Sequence, residues 1–293
     1  MNMLRYQKTG TFFVQVAAGL EEPGVEELER LGARNARPGF RSIRFEGDAA
    51  CLYRVVYATR LASRILAPII RFDCHSTNYL RHTALLIDWT ELLDLNQTFA
   101  IFANVSNSRI RHARYASLCL KDAIVDQFRD RLGERPNVDP ANPDCTINLY
   151  IHENNATISL DVSGRSLHKR GYRTASVSAP MQETLAAAIV QLSGWDGEQP
   201  LHDPMCGSGT ILCEALMRYC RMPSGYLNPV FGLRFLPDYD EAIWTRVKEE
   251  ADRDIRDLPS GLISGSDIDP EALEGATFST RRASSVDVDP HAG

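Results

Sequence analysis

Apolar and polar positions follow two different periods along the first half of the chain. Phe12-Phe13-Val14-Gln15-Val16-Ala17 reads as a strand. Residues 21–31 fit a helix, with Pro23 in its first turn and Gly32 as a stop. Ser42-Ile43-Arg44-Phe45-Glu46-Gly47 alternates as a second strand. Asp48 is placed to cap the next helix, whose apolar side carries Leu52, Tyr53, Val55 and Val56. This strand–helix–strand–helix order predicts a small ferredoxin-like α/β unit. Residues 62–72 are apolar and partly β-branched but interrupted by Pro68, which predicts an edge strand. A short helix over 80–86 and a buried strand over 99–105 follow. Residues 117–128 have an amphipathic helical pattern, and 136–144 form a Pro/Asn/Asp loop. The alternating runs 146–151 and 156–162 predict a hairpin turning at Glu153-Asn154-Asn155.

In the second half, Ser178-Ala179-Pro180 opens a helix that is apolar at most positions from 184 to 192. Leu201-His202-Asp203-Pro204-Met205-Cys206-Gly207-Ser208-Gly209-Thr210-Ile211-Leu212 reads as the end of a buried strand, a tight turn and the start of a helix. That helix runs to about Tyr219. Residues 223–240 are loop-rich, 240–257 form an acidic helix, and 262–270 form a second strand and its exit. From Gly275 the apolar spacing fails and the composition is that of a tail.

The turn at 203–210 organises the chemistry. Gly207 and Gly209 sit where the backbone must bend sharply and admit a ligand closely. A phosphate-binding Walker loop needs a closing Lys-Ser/Thr pair, which is absent. A dinucleotide fingerprint needs a third small residue where Leu212 stands, and Asp267 is distant for that role. An Asp-Pro-x-x-Gly-x-Gly-Thr turn, with Asp203 at its head, suits a cofactor without phosphates and with a cationic amino group: S-adenosylmethionine. After the second strand, Asp267 is the first choice to accept hydrogen bonds from ribose hydroxyls. Asp269 is the second choice, and the alternative role of N-cap for the helix at Pro270 fits it better than it fits Asp267. Glu183 stands at a helix start, where a carboxylate can partner the helix dipole.

With 293 residues, 44% hydrophobic and 24% charged, the chain has room for two or three folded units. No apolar run is long enough for a membrane span. The net charge of −6 excludes a uniformly basic nucleic-acid binder, so any RNA contact rests on local patches. Two such patches stand out. Residues 106–121 contain no acid but include Arg109, Arg111, His112, Arg114 and Lys121. Residues 165–173 contain no acid but include Arg165, Lys169, Arg170, Arg173 and the single aromatic Tyr172. Arg and Lys in these patches suit phosphates, and Tyr172 suits stacking on a splayed base. Solvated charged loops have the same composition. The seven cysteines form no C-x-x-C pair, which disfavours a zinc site and suits reduced thiols in the cytoplasm.

Asp203-Pro204-Met205-Cys206-Gly207-Ser208-Gly209-Thr210 resembles motif I of the THUMP-domain RNA methyltransferases. The closest group is the bacterial one that methylates guanine N2 in large-subunit ribosomal RNA. The stretches 110–112, 121–126, 166–173 and 179–188 agree with it, and the likeness runs from about Thr11 to about Glu274. The resemblance implies an α/β fold: a ferredoxin-like unit over 1–54, a THUMP domain over 55–165, a basic linker over 166–178 and a partial Rossmann-like class I methyltransferase domain over 179–274. Residues 275–293 are left as an atypical tail. It implies S-adenosylmethionine as cofactor, held by Asp203, Pro204, Cys206, Gly207, Gly209, Thr210, Glu183, Asp267 and Asp269. It also implies an RNA partner, with ribosomal RNA the expected substrate, and no membrane.

The chain departs from the family at one point. The Asn/Asp-Pro-Pro-aromatic motif that positions the guanine amine is absent, and Asn228-Pro229-Val230-Phe231 matches it only superficially. The reading is therefore of a truncated member with no identified catalytic residue and no turnover by itself. Its first 164 residues are expected to fold independently. A different class remains open, an RNA-binding module with a vestigial cofactor domain.

Overall fold

The computed structural model describes residues 3–173 and 181–284. The expected helix opening at Ser178-Ala179-Pro180 lies outside the described residues. Among those described, the first half is built on one eight-stranded sheet. Its elements are α1 (Arg5–Thr9), β1 (Thr11–Gln15), α2 (Glu21–Arg30), β2 (Arg34–Gly39), β3 (Ser42–Glu46), α3 (Ala49–Ala58), β4 (Arg64–Asp73), α4 (Thr77–Ala84), β5 (Thr98–Ser106), α5 (Ala113–Leu132), β6 (Asn137–Val138), β7 (Cys145–His152) and β8 (Asn155–Asp161). The strand order is β2-β3-β1-β4-β8-β7-β5-β6.

Local chemistry sets most of these elements. Asp48 caps α3 by accepting from the Cys51 amide at 2.8 Å. The β7–β8 hairpin turns through Glu153 and Asn154 at φ of 49° and 61°, left-handed values that a two-residue hairpin turn requires. Ile147, Leu149, Ile151, Ile158 and Leu160 are buried on one side of the sheet, where α5 adds Leu120, Ile124 and Phe128. Gln127 stitches this core together: it donates to the Leu85 and Ile87 carbonyls and accepts from the Trp89 amide.

Two strands depart from the sequence reading. β4 is not an edge strand. It pairs with β1 on one side and β8 on the other, so the ferredoxin-like and THUMP parts share one sheet. Pro68 is tolerated there because the register shifts between Pro68 and Ile70, which relieves the ladder of its missing donor. β2 was not expected because its side chains are mostly exposed and show no apolar alternation.

The second half contains α6 (Glu183–Leu192), β9 (Leu201–Asp203), α7 (Thr210–Tyr219), a 3-10 turn (Gly232–Phe235), α8 (Glu241–Arg253), β10 (Ile263–Gly265) and α9 (Pro270–Ser284). β9 and β10 are parallel, as in a Rossmann-like sheet, with α7 packed on β10 and α9 packed on α7. α9 corrects the expected tail: residues 275–284 are helical. Gly275, Ala276, Ser279 and Ala283 face inward, and α9 packs on α7. These small residues permit close approach without supplying a stripe of large apolar side chains.

Residues 223–253 return to the first half. α8 packs on α3, where Tyr57 donates to Asp252 at 2.7 Å. Phe231 and Trp244 meet Tyr57 edge-on. The core of the first half therefore continues into this returning segment, to which α3 presents Tyr53 and Tyr57.

Candidate cofactor site

The site forms where β9 and β10 end side by side. Their register sets Gly265 opposite Asp203, which puts the two strand exits level. Backbone bonds then lock the exits: Ser266 donates to the Asp203 carbonyl at 2.9 Å, and Cys206 to the Ser266 carbonyl at 3.0 Å. Asp203 Oδ1 accepts from the Met205 amide at 3.1 Å and starts the turn. Asp267 closes it, accepting from the Gly207 amide at 2.8 Å and from the Asp269 amide at 3.0 Å. Those amide donors, Asp269 first and Gly207 second, hold the Asp267 carboxyl below its ordinary range, so it is a carboxylate at neutral pH.

The two glycines do different work. Gly207, at φ +53°, has open space where a side chain would stand, so its bare backbone leaves that side of the turn free. Gly209, at φ +78°, is the N-cap of α7. A Cβ there would lie 3.0 Å from Ala276 Cβ and 3.1 Å from its Cα. Gly209 thus admits the close approach of α9.

The other expected cofactor residues take varied places. Pro204 and Asp269 are exposed. Asp269 Oδ1 accepts from the Glu271 amide at 2.9 Å, so it caps α9. Cys206 is buried under the turn, and burial raises its thiol pKa, with Asp203 and Asp267 adding to the rise. Glu183 is the first residue of α6 and is buried, which raises its carboxyl pKa against the pull of Arg173. Arg173 Nη2 donates to Thr210 Oγ1 at 2.8 Å and to the Met181 carbonyl at 2.8 Å, and lies 3.6 Å from Glu183. The linker arginine therefore ties the starts of α6 and α7 together.

That engagement corrects the RNA assignment of Arg173, and two neighbours are corrected outright. Arg170 is 1% exposed. It donates to Glu214 at 3.3 Å, to the Leu167 carbonyl at 2.6 Å and to the Arg60 carbonyl. Tyr172 is also 1% exposed and donates to Glu214 at 3.0 Å. Neither can meet a phosphate or a base. Both serve a buried carboxylate on α7, because Glu214 needs donors when cut off from water. Glu214 and Arg60 escaped the sequence reading. The available signal was a single acid inside the apolar stripe of α7.

Of the remaining basic residues, Arg109, Arg111, Arg114 and Lys169 are exposed, while Lys121 and Arg165 are half-buried. Lys121 pairs with Asp122. The two basic stretches do not converge. Arg109 donates through its amide to Asn154 at the hairpin end of β8, whereas 165–173 leaves from the other end. The length of β8 separates them, about 20 Å at 3.4 Å per residue. Among the described residues no helix is long and apolar enough to cross a membrane, and none of the seven cysteines is in a disulfide.

Comparison with known proteins decides the family. Residues 11–66 match the RlmL ferredoxin-like domain, 75–161 the THUMP domain, and 170–288 the RMKL-like methyltransferase domain. The chain is 40% identical over 268 residues to the "Putative RNA methyltransferase slr0064" of Synechocystis sp. (strain ATCC 27184 / PCC 6803 / Kazusa), covering 92% of this chain and 70% of that protein. The chain belongs to the THUMP-domain RNA methyltransferase family. Two solved structures of similar fold share 28% and 30% identity with the chain. The first is the "predicted N6-adenine-specific DNA methylase" of Listeria monocytogenes str. 4b F2365, at a TM-score of 0.81. The second is "SMU.472, a putative methyltransferase complexed with SAH", at a TM-score of 0.80. Each is covered to 72%, and each covers 94% of this chain. The THUMP-domain methyltransferase match confirms the expected α/β fold, and it carries across α9, where the sequence reading had stopped.

Proposed function

We propose that the turn formed by Asp203, Gly207 and Asp267 holds S-adenosylmethionine. The observation that carries this reading is the open space over Gly207, bordered by the Asp267 carboxylate. Two carboxylates and a bare backbone fit a cationic amino acid joined to a ribose, and nothing in the turn cradles a phosphate. When bound, the cofactor supplies an electrophilic methyl group on sulfur. The chain's own part is to orient it: Asp267 accepts from ribose hydroxyls while keeping the turn shut, and Asp203 offers charge to the amino group. The complex of SMU.472 with SAH supports the same site here.

The proposed substrate is RNA, with guanine N2 in large-subunit ribosomal RNA as the target. The THUMP match and the Synechocystis relative support RNA, and the motif resemblance supports the base. The sequence of this chain contains no Asn/Asp-Pro-Pro-aromatic motif. We therefore assign cofactor and RNA binding to these 293 residues and no methyl transfer by them alone.

A chimera tests the target. The chain is joined to the part of the Synechocystis relative that it does not cover, then given labelled cofactor with either unmodified large-subunit rRNA or DNA. N2-methylguanine in the RNA is the expected product. N6-methyladenine, or label in DNA alone, would refute the proposed target.

A further inference from the structure

One face of the sheet remains open. The register across β4, β8, β7 and β5 sets Arg71, Thr157, Tyr150 and Asn104 in one row. The next row toward the hairpin is Asp73, Asn155, His152 and Ser106. The reverse face of these strands is the apolar core under α5. At the far end of the open face, Asn148 and Ser159 are buried, and the 3-10 turn packs on β7 and β8 there. Nearer the hairpin no described residue covers it: Phe102 is 44% exposed and Tyr150 45%.

Two exposed aromatic rings on a polar sheet face need an explanation. Asn148 pairs with Phe102 and Asn104 with Tyr150, so the two rings are diagonal neighbours on adjacent strands. The Tyr150 ring stacks on His152 at 6.2 Å between centroids and 21° between planes. The Arg64 guanidinium lies 5.3 Å from the Phe102 ring centre. Both rings are thereby held in place before any ligand arrives. Hydrogen-bonding side chains, Asn104 and Thr157, separate the rings from other apolar surface. Arg71 is exposed in the Tyr150 row, and exposed Arg109 and Arg111 follow β5 at the hairpin end. Asp73 and Glu153 are the acids at that end.

We infer that this open face is a platform for single-stranded RNA, with Phe102 and Tyr150 stacking bases and Arg71, Arg109 and Arg111 holding phosphates. The inference rests on the RNA reading above. The interleaving decides the kind of partner. A protein interface core is continuous and depleted of charge, whereas single-stranded RNA is recognised by separate stacking rings among amides and guanidiniums. The platform also absorbs the basic stretch 109–114, which the cofactor half does not use.

Fluorescence anisotropy on the full chain tests the platform, with labelled oligouridine and a labelled RNA duplex, each at two salt concentrations. Tyr150→Ala and Phe102→Ala should each weaken oligouridine binding about fivefold or more and leave its salt slope unchanged, because a stacking contact is lost and no phosphate contact. Tyr150→Trp should restore the affinity. Arg71→Ala should instead flatten the slope by about 0.7. Duplex binding should not respond to Tyr150→Ala, since its bases are already stacked. Wild-type affinity in both alanine variants, with the parent chain binding RNA, overturns the platform and leaves the RNA reading standing. A folded parent chain that binds neither probe overturns both.

Discussion

The Gly207 amide donates to Asp267 Oδ2 at 2.8 Å, joining the first turn of the cofactor half to the exit of its second strand across 60 residues of sequence. One carboxylate thus shapes the turn, and under the proposed reading it also receives the cofactor's ribose. Replacing Asp267 with Ala should weaken S-adenosylhomocysteine binding roughly tenfold, since a charged acceptor and the shape of the turn are lost together. Asp267→Asn keeps one acceptor oxygen and should lose less. Calorimetric titration of the two variants gives the ranking, and equal loss in both would separate the shape of the turn from its charge.

Gly207 and Gly209 should fail in different ways. Both have left-handed backbones, so any side chain costs about 1–3 kcal/mol of strain. At Gly209 the added Cβ also meets Ala276, so Gly209→Ala should lower Tm more than Gly207→Ala and loosen α9 from α7. At Gly207 the added atom enters open space, so the larger effect should be on cofactor affinity. Thermal melts and titrations on the same two proteins check both halves. A greater Tm loss at Gly207 would contradict the assignment.

Arg170 should be a stability residue. Arg170→Ala strips a donor from the buried Glu214 carboxylate, which costs about 3–5 kcal/mol when a buried pair is broken. Glu214 also faces the Arg60 guanidinium at 4.0 Å, so Arg170→Met with Glu214→Leu leaves that charge unpaired and should recover only part of the loss. RNA affinity of the folded fraction should not change with Arg170. Denaturant titration and anisotropy together decide this.

How much was legible follows from where each signal lives. The cofactor turn is largely local: two glycines, Asp203 and the end of a strand lie within a few residues of one another, so the sequence displays them, and Asp267, 60 residues on, shows itself only by following the second strand. Arg170 and Tyr172 were misread because a basic residue looks the same whether it faces solvent or a carboxylate 44 residues away. α9 was taken for a tail because Gly275, Ala276, Ser279 and Ala283 pack by being small, which leaves no apolar periodicity to find. Pro68 pointed to an edge, but a register shift in β4 accommodates it inside the sheet. The alternation in β5, β7 and β8 was visible, yet that the polar side stays partly uncovered depends on where residues 232–235 return, which no local pattern encodes.

A pH effect should trace to His168. Burial, then the nearby Lys169 and Arg170, hold its imidazole below the ordinary 6.5. The unfolded chain therefore binds the proton more readily than the folded one. The stabilising contribution is present above pH 6.5 and is lost as pH falls through the depressed folded value. His168→Asn should lose less stability than the parent chain between neutral pH and about pH 5.5. Parallel pH-dependent melts test this, and identical slopes would place the proton elsewhere.

The most direct test of the cofactor assignment is isothermal titration of the folded 293-residue chain with S-adenosylhomocysteine and, separately, with NAD. The site described here predicts saturable 1:1 binding of S-adenosylhomocysteine, lost in Gly207→Val, and no binding of NAD. Tight NAD binding, or no S-adenosylhomocysteine binding by a chain shown to be folded, would contradict it.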